Sequence, residues 1–225
     1  MIAAALHAEL ERYASTMRHA NPLFYKAADG TMTPECISRY LANVHYLIRY
    51  TPTYLVRARE AAKARGDLAL ARHYQERLGE EVDHDKWAEQ DLERIAAQVP
   101  TTLVRDVMPA WQELVAYLAS IIDEDPVLYL SYILFAEQLI AALGPEWLLL
   151  LEERCGIPRS SMSVIANHAE LDRDHVSDAL ARIDDLVGDP RKLPRMRQVL
   201  LESLRYFDRF CAEVTDTHVR QVSAA

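Results

Sequence analysis

The stretch that decides the reading is NHAELDRDHV, residues 167–176, in which His168, Asp172 and His175 recur at positions i, i+4 and i+7. On a helix turning about 100° per residue, this spacing brings three side chains together on one face. The surrounding segment predicts a helix from Ser160 or Ser161 to Val187, stopped by Gly188-Asp189-Pro190. Its apolar arc holds Ile165, Val176, Ala179, Ile183 and Leu186. Asp172 falls inside that arc and the two histidines lie along its edge, while Glu170, Asp174, Ser177, Asp178, Asp184 and Asp185 lie mostly outside it. An unpaired carboxylate in a packed face costs several kcal/mol or more, so a compensating cation is expected. One histidine or aspartate in such a place is usually a hydrogen-bonded core residue; three at converging spacing point to a metal.

The preceding helices pose the same burial problem. Asp67 is read as the cap of a helix running to about Gln98 and closed by Pro100. Its stripe contains Leu70, Tyr74, Leu78, Ala88, Leu92 and Ile95, with Glu81 at the centre, Asp85 beside it and His84 at one edge; Glu80 points away. Glu81-x2-His84 has the i, i+3 spacing by which one helix gives a carboxylate and an imidazole to a metal. The competing reading is a charged face, since Glu80, Asp83, Lys86 and Glu89 are neighbours; Asp85 is kept as a further ligand or supporting residue. From Val127 to Pro145 the only charged residue is Glu137, on a helix apolar nearly all round. A metal or an arginine could compensate it, and the metal is favoured because acids on two other helices seek the same partner. Three carboxylates (Glu81, Glu137, Asp172) and three imidazoles (His84, His168, His175) without a thiolate suit iron or manganese better than structural zinc, and six ligands suit two ions.

Elsewhere the punctuation is helical. The 225 residues include only 6 Gly, and no strand-length alternation is found, so the fold class is all-α. Helices are expected over Ile2–Ala28; from Thr33-Pro34 to Arg65 with a kink at Thr51-Pro52; from Thr101 or Thr102 to Asp123; from Asp125-Pro126 to Gly144; from Pro145 to Arg154; and from Lys192 to Val219. The expected whole is one domain, 1–225, of seven to eight helices. A net charge of −9 argues against nucleic-acid binding. No membrane span and no basic leader are read, and three scattered cysteines (Cys36, Cys155, Cys211) fit a reducing cytoplasm. On the second helix Tyr40, Val44, Leu47 and Tyr54 mark a partly apolar face, a candidate pocket wall, with His45 and Arg49 beside it; a solvated Arg49 and tyrosines that simply fill the core are preferred to an arginine holding a substrate carboxylate.

These residues, in this order, resemble the heme-oxygenase-like diiron oxidases and oxygenases. That superfamily places Glu and His on one core helix, a Glu on the next and His-x3-Asp/Glu-x2-His on a third. Many members space the first pair seven apart; this chain has the three-apart form that some also show. Asn21-Pro22-Leu23-Phe24, Asp29-Gly30-Thr31-Met32-Thr33 and Tyr40-Leu41 are similar to the opening of this fold, also found in thiaminase II and pyrroloquinoline-quinone synthase relatives. The resemblance implies Fe(II)/Fe(III), two per chain, held by Glu81, His84, Glu137, His168, Asp172 and His175 as metal-binding and catalytic residues. It further implies O2 as co-substrate and oxidation of an amino-acid-like or fatty-acid-like molecule; an external electron donor and a homodimer are compatible with it. The alternatives are a ferritin-like diiron carboxylate protein, which would leave His168 over, and a cofactor-free heme-oxygenase-like binding protein or hydrolase. The hydrolase needs a nucleophilic cysteine with a base, and none is visible.

Overall fold

A computed structural model describes residues 1–98 and 106–216. Ten α-helices occur among the described residues, and no strand. They are α1 (Ile2–Ala20), α2 (Pro22–Ala28), α3 (Pro34–Ile48), α4 (Thr51–Ala64), α5 (Leu68–Glu80), α6 (His84–Ala96), α7 (Pro109–Glu124), α8 (Tyr129–Cys155), α9 (Ser163–Val187) and α10 (Leu193–Thr215), with single 3-10 turns at Pro126–Leu128, Arg159–Ser161 and Pro190–Lys192. The all-α class therefore stands, with more helices than the seven or eight expected.

The excess comes from three breaks and is offset by one merger. Asn21 is extended and its side chain accepts from Leu23 N (2.9 Å), so with Pro22 at the first helical position it starts α2 and ends the expected Ile2–Ala28 helix. Pro52 cannot donate to Ile48, and the chain divides at Arg49-Tyr50 where only a kink was expected. The expected Asp67–Gln98 helix breaks at residues 81–83, where Asp83 has φ 71°, a left-handed conformation that aspartate tolerates better than most residues. Gly144-Pro145, in contrast, ends nothing. The helix α8 runs through it, with Arg18 of α1 reaching Ala142 O (3.5 Å) beside the bond that the proline cannot make. The described part of this region has its helix, α7, from Pro109; the start expected at Thr101 or Thr102, Pro100 and the expected end at Val219 lie outside the described residues.

The apolar α8 is the centre: it packs most extensively along α9 and also meets α1, α2, α7 and α10. By length and composition it could cross a membrane, but 72% of its apolar window is buried within the fold, as in a core helix. Gly144 explains its close approach to α9. A Cβ there would lie 3.2 Å from Ala169 Cβ, so the glycine serves helix-to-helix contact and not termination. Beyond α8, α9 meets α1 and α6, and Asp91 of α6 joins the latter pair. Asp91 is fully buried, and its carboxylate accepts from Ser163 Oγ (2.7 Å), Val164 N (2.7 Å) and Arg94 Nη1 (2.8 Å). No side chain of α9's own cap residue Met162 performs this task, so the helix start is capped from another helix.

A branched side chain at residue 144 should force α8 and α9 apart. Gly144→Val is expected to cost about 1–3 kcal/mol in urea unfolding. Gly144→Ala should stay within about 1 kcal/mol, because better helix propensity offsets the tighter contact. Equal stability of the two variants would show that the contact is not constraining.

Candidate metal centre

The break at residues 81–83 places Glu81 at the C-terminal end of α5 and His84 at the first position of α6. The two were expected on one continuous helix. They nevertheless meet across the corner, His84 Nδ1 lying 3.2 Å from Glu81 Oε2. Glu137 projects from the middle of α8, and His168, Asp172 and His175 from successive turns of α9. The six candidate ligands gather into two sets, Glu81/His84/His168 and Glu137/Asp172/His175; within each, one ligand atom per residue lies within 4.8 Å of the others. Both sets can hold a metal ion. Asp85 is half-buried and belongs to neither.

The donor chemistry fits cations. Glu137 and Asp172 are only 6% and 2% exposed. Glu137 Oε2 and Asp172 Oδ2 lack a hydrogen-bond partner, a costly state for buried polar atoms, while Glu137 Oε1 and His84 Nδ1 also make no hydrogen bond but face Arg77 and Glu81. The imidazoles are oriented for ligation. His168 Nδ1 lies 2.7 Å from Val164 O, so that nitrogen carries the proton and Nε2 keeps its lone pair. Asp172 Oδ1 holds His175 through Nδ1 (3.2 Å), again leaving Nε2. His84 stacks on Trp87 (ring centroids 4.2 Å, 22°) and meets His168 edge-on (4.9 Å). Burial alone would raise the Glu81 pKa; His84, His168 and Arg77 outweigh it and hold the carboxyl below its ordinary value.

Arg77 is the residue that sequence reasoning passed over. Buried on α5, it contacts Glu80 Oε2 (2.8 Å) and Glu81 Oε1 (3.9 Å) and forms an ion pair with Glu137 Oε1 that lacks hydrogen-bond geometry. An arginine, the second of the two partners considered for Glu137 beside the favoured metal, therefore faces it. A readable signal was its position one turn before Glu81, next to the stripe residues Tyr74 and Leu78. Asp91 and Trp87 were also missed, since both act through contacts distant in sequence or across the corner. Glu80, set aside as pointing away, is exposed but approaches His175 Nε2 at 4.0 Å.

Both sets border an apolar cavity of about 180 Å³. Tyr40, Val44 and Leu47 line it together with Trp111, Phe135 and Trp147, so Tyr40 borders a cavity where simple core packing was preferred, whereas Tyr54 is outside its lining and donates to Val115 O (2.7 Å). Arg49 is exposed and outside it. The charged or imidazole side chains on its wall are Arg77, Glu81, Glu137, His168 and Asp172. No cysteine reaches it: Cys36 and Cys211 are buried elsewhere, Cys155 bonds Ala27 O (3.5 Å), and burial raises the pKa of all three. Beside the second set lies a smaller polar cavity of about 60 Å³, bordered by His73, Glu76, Glu80, Asp178 and Arg182.

No protein-family model matches the chain, and no curated protein matches it in sequence. Solved structures do. A Shewanella denitrificans domain of unknown function with a heme oxygenase-like fold superposes with a TM-score of 0.81 at 19% identity, covering 94% of this chain and 90% of that one. A TenA homolog from Pseudomonas syringae pv. tomato gives 0.68 at 14% identity, covering 95% and 92%. A CADD-like protein of unknown function from Nostoc punctiforme gives 0.66 at 14%, covering 94% and 96%. The chain has a heme-oxygenase-like fold, and the ferritin-like alternative is not favoured.

Acid should unfold the metal-free protein partly through His73, whose pKa is lowered to about 4 by burial and then by the charges of Arg77 and Arg182. The folded state refuses a proton that the unfolded state takes up near 6.5, so stability is full above that pH and falls as pH drops towards 4. Urea midpoints between pH 7.5 and 4.5 should show this slope, and His73→Gln should flatten it. A variant profile parallel to the parent's would contradict the assignment.

Proposed function

We propose, proceeding from a heme-oxygenase-like helical fold with two buried carboxylate–histidine sets, that the chain is a non-heme diiron oxidase or oxygenase. The observation that carries the reading is the pairing of orphaned buried carboxylate oxygens with histidines whose Nε2 atoms are left free, all beside an apolar cavity. Glu81, His84 and His168 would hold one iron and Glu137, Asp172 and His175 the other. Iron bound there would supply electrons to O2 and let it oxidise a small organic molecule.

The chain's own residues define the remaining conditions. Three carboxylates offset three of the four positive charges of two Fe(II) ions, which makes the second ion tolerable in a low-dielectric core. Val164 O and Asp172 fix the tautomers and ring directions of His168 and His175. The aromatic and aliphatic wall excludes water from the reacting centre and suits the apolar body of a fatty-acid-like substrate better than the zwitterion of an amino acid. Reduction of O2 to water takes four electrons; a two-electron oxidation of substrate leaves two for an external donor.

Anaerobic Fe(II) loading followed by mixing with O2, observed by optical and Mössbauer spectroscopy, tests this. About two irons per chain and an oxygen-dependent change in the iron spectrum are expected, with His175→Ala retaining about one. A protein that binds no iron, or one ion indifferent to His175→Ala, would overturn the reading.

A further inference from the structure

We propose that Arg77 is a resident counter-cation of the second set, that metal entering there must displace it towards Glu80, and that the two positions therefore fill unequally, Glu81/His84/His168 first. This rests on the metal-binding reading above and adds an order of loading to it.

The first observation is where the guanidinium sits. Its Nη2 is in ion contact with Glu137 Oε1, an oxygen that a metal in the second set would need, while its distance to Glu81 Oε1 is 3.9 Å. The first set is thus only approached by the arginine, and Glu81 Oε2 is turned to His84. Arginine does not lose its charge under any condition in which the protein is folded, so the group cannot make way by deprotonation. It must move.

The second observation is a place for it to go. Nη1 is already 2.8 Å from Glu80 Oε2, and Glu80 is 45% exposed, so the tether reaches solvent. The small polar cavity lies on that side, and both Arg77 and Glu80 border it. Its other acids are engaged: Arg182 contacts Glu76 (3.0 Å) and Asp178 (3.4 Å), leaving Glu80 as the partner that receives Arg77.

The third observation is the imbalance of partners. Glu137 Oε2 and Asp172 Oδ2 have no hydrogen bond among the described residues, so Arg77 compensates the second set incompletely. It is present enough to compete with a cation and insufficient to replace one. Metal at the second set removes this deficit but must first break the Arg77–Glu137 pair; metal at the first set meets only the longer Arg77–Glu81 contact of 3.9 Å.

The test is anaerobic Fe(II) binding to the metal-free full-length chain by equilibrium dialysis, repeated with Mn(II) by calorimetry, together with thermal unfolding of the metal-free form. The parent should bind a tight and a weak equivalent. Arg77→Met, close in length but uncharged, should tighten the weak equivalent at least about tenfold and leave the tight one within about threefold. It should also lower the melting temperature of the metal-free form and enlarge the rise on metal addition. Arg77→Lys, which retains a charge, should keep the two equivalents unequal. Glu80→Gln removes the receiving carboxylate and should weaken the second equivalent alone, which preserves the test if Arg77→Met does not fold. Two equivalents of equal affinity in the parent, or a weak equivalent unchanged by Arg77→Met or by Glu80→Gln, would overturn the proposal. Failure of parent and Arg77→Met alike to bind any metal would sink the underlying metal reading, a result distinct from two sites that ignore Arg77.

Discussion

Burial of negative charge is the constraint on which this structure turns. Three carboxylates, Glu81, Glu137 and Asp172, converge in the middle of an apolar bundle, and the arginine within contact of Glu81 and Glu137 is Arg77. Among the described residues one guanidinium thus faces two of these three carboxylates. Two unit charges about 4 Å apart at a surface-like effective dielectric of ~20 interact by ~4 kcal/mol, a sizeable share of a domain's total stability. The same figure limits the remedy. A divalent ion added beside an unmoved guanidinium meets roughly twice that repulsion, so compensation by metal and compensation by arginine work against each other at Glu137.

The architecture is arranged around keeping those acids close despite the cost. Gly144 allows α9 to lie against α8, which sets Glu137 beside Asp172 and His175. Asp91, buried and satisfied by three donors, fixes the first turn of α9, and Val164 then hands its carbonyl to His168 one turn later. The left-handed Asp83 turns the chain so that Glu81 and His84 face each other from the ends of two helices. Each device is a local feature of backbone or capping, and each acts on a candidate ligand. The cavity adds a wall of aromatic and aliphatic groups beside the candidate ligands.

Much of this was legible because burial conflicts are written in sequence periodicity. Glu137 alone in an apolar run and Asp172 within an apolar arc announce themselves without any structure, and both prove nearly inaccessible. The wheel that centred Glu81 assumed a helix that is in fact broken at residues 81–83, yet the Glu81–His84 pair survives because a tight corner conserves the proximity of residues three apart. Arg77 was not legible in its role: a charged residue on a helix flank usually reaches water, and only the packing of α5 near α8 turns it inward onto Glu137. Asp91 was hidden for a similar reason, since a cap supplied by a different helix leaves no mark at the helix it serves. The divided helices at Asn21-Pro22 and Arg49-Tyr50 were open to finer reading, because an Asn before Pro is a start signal and a proline inside a run breaks its bonding ladder.

The central claim is that the buried acids and imidazoles are ligands. The most direct measurement is anomalous X-ray diffraction from crystals of the protein grown anaerobically with Fe(II) and measured on both sides of the iron absorption edge. The account predicts two anomalous peaks about 3.5–4 Å apart, one among Glu81, His84 and His168 and one among Glu137, Asp172 and His175. No peak at either position, with Arg77 still paired to Glu137, would contradict it.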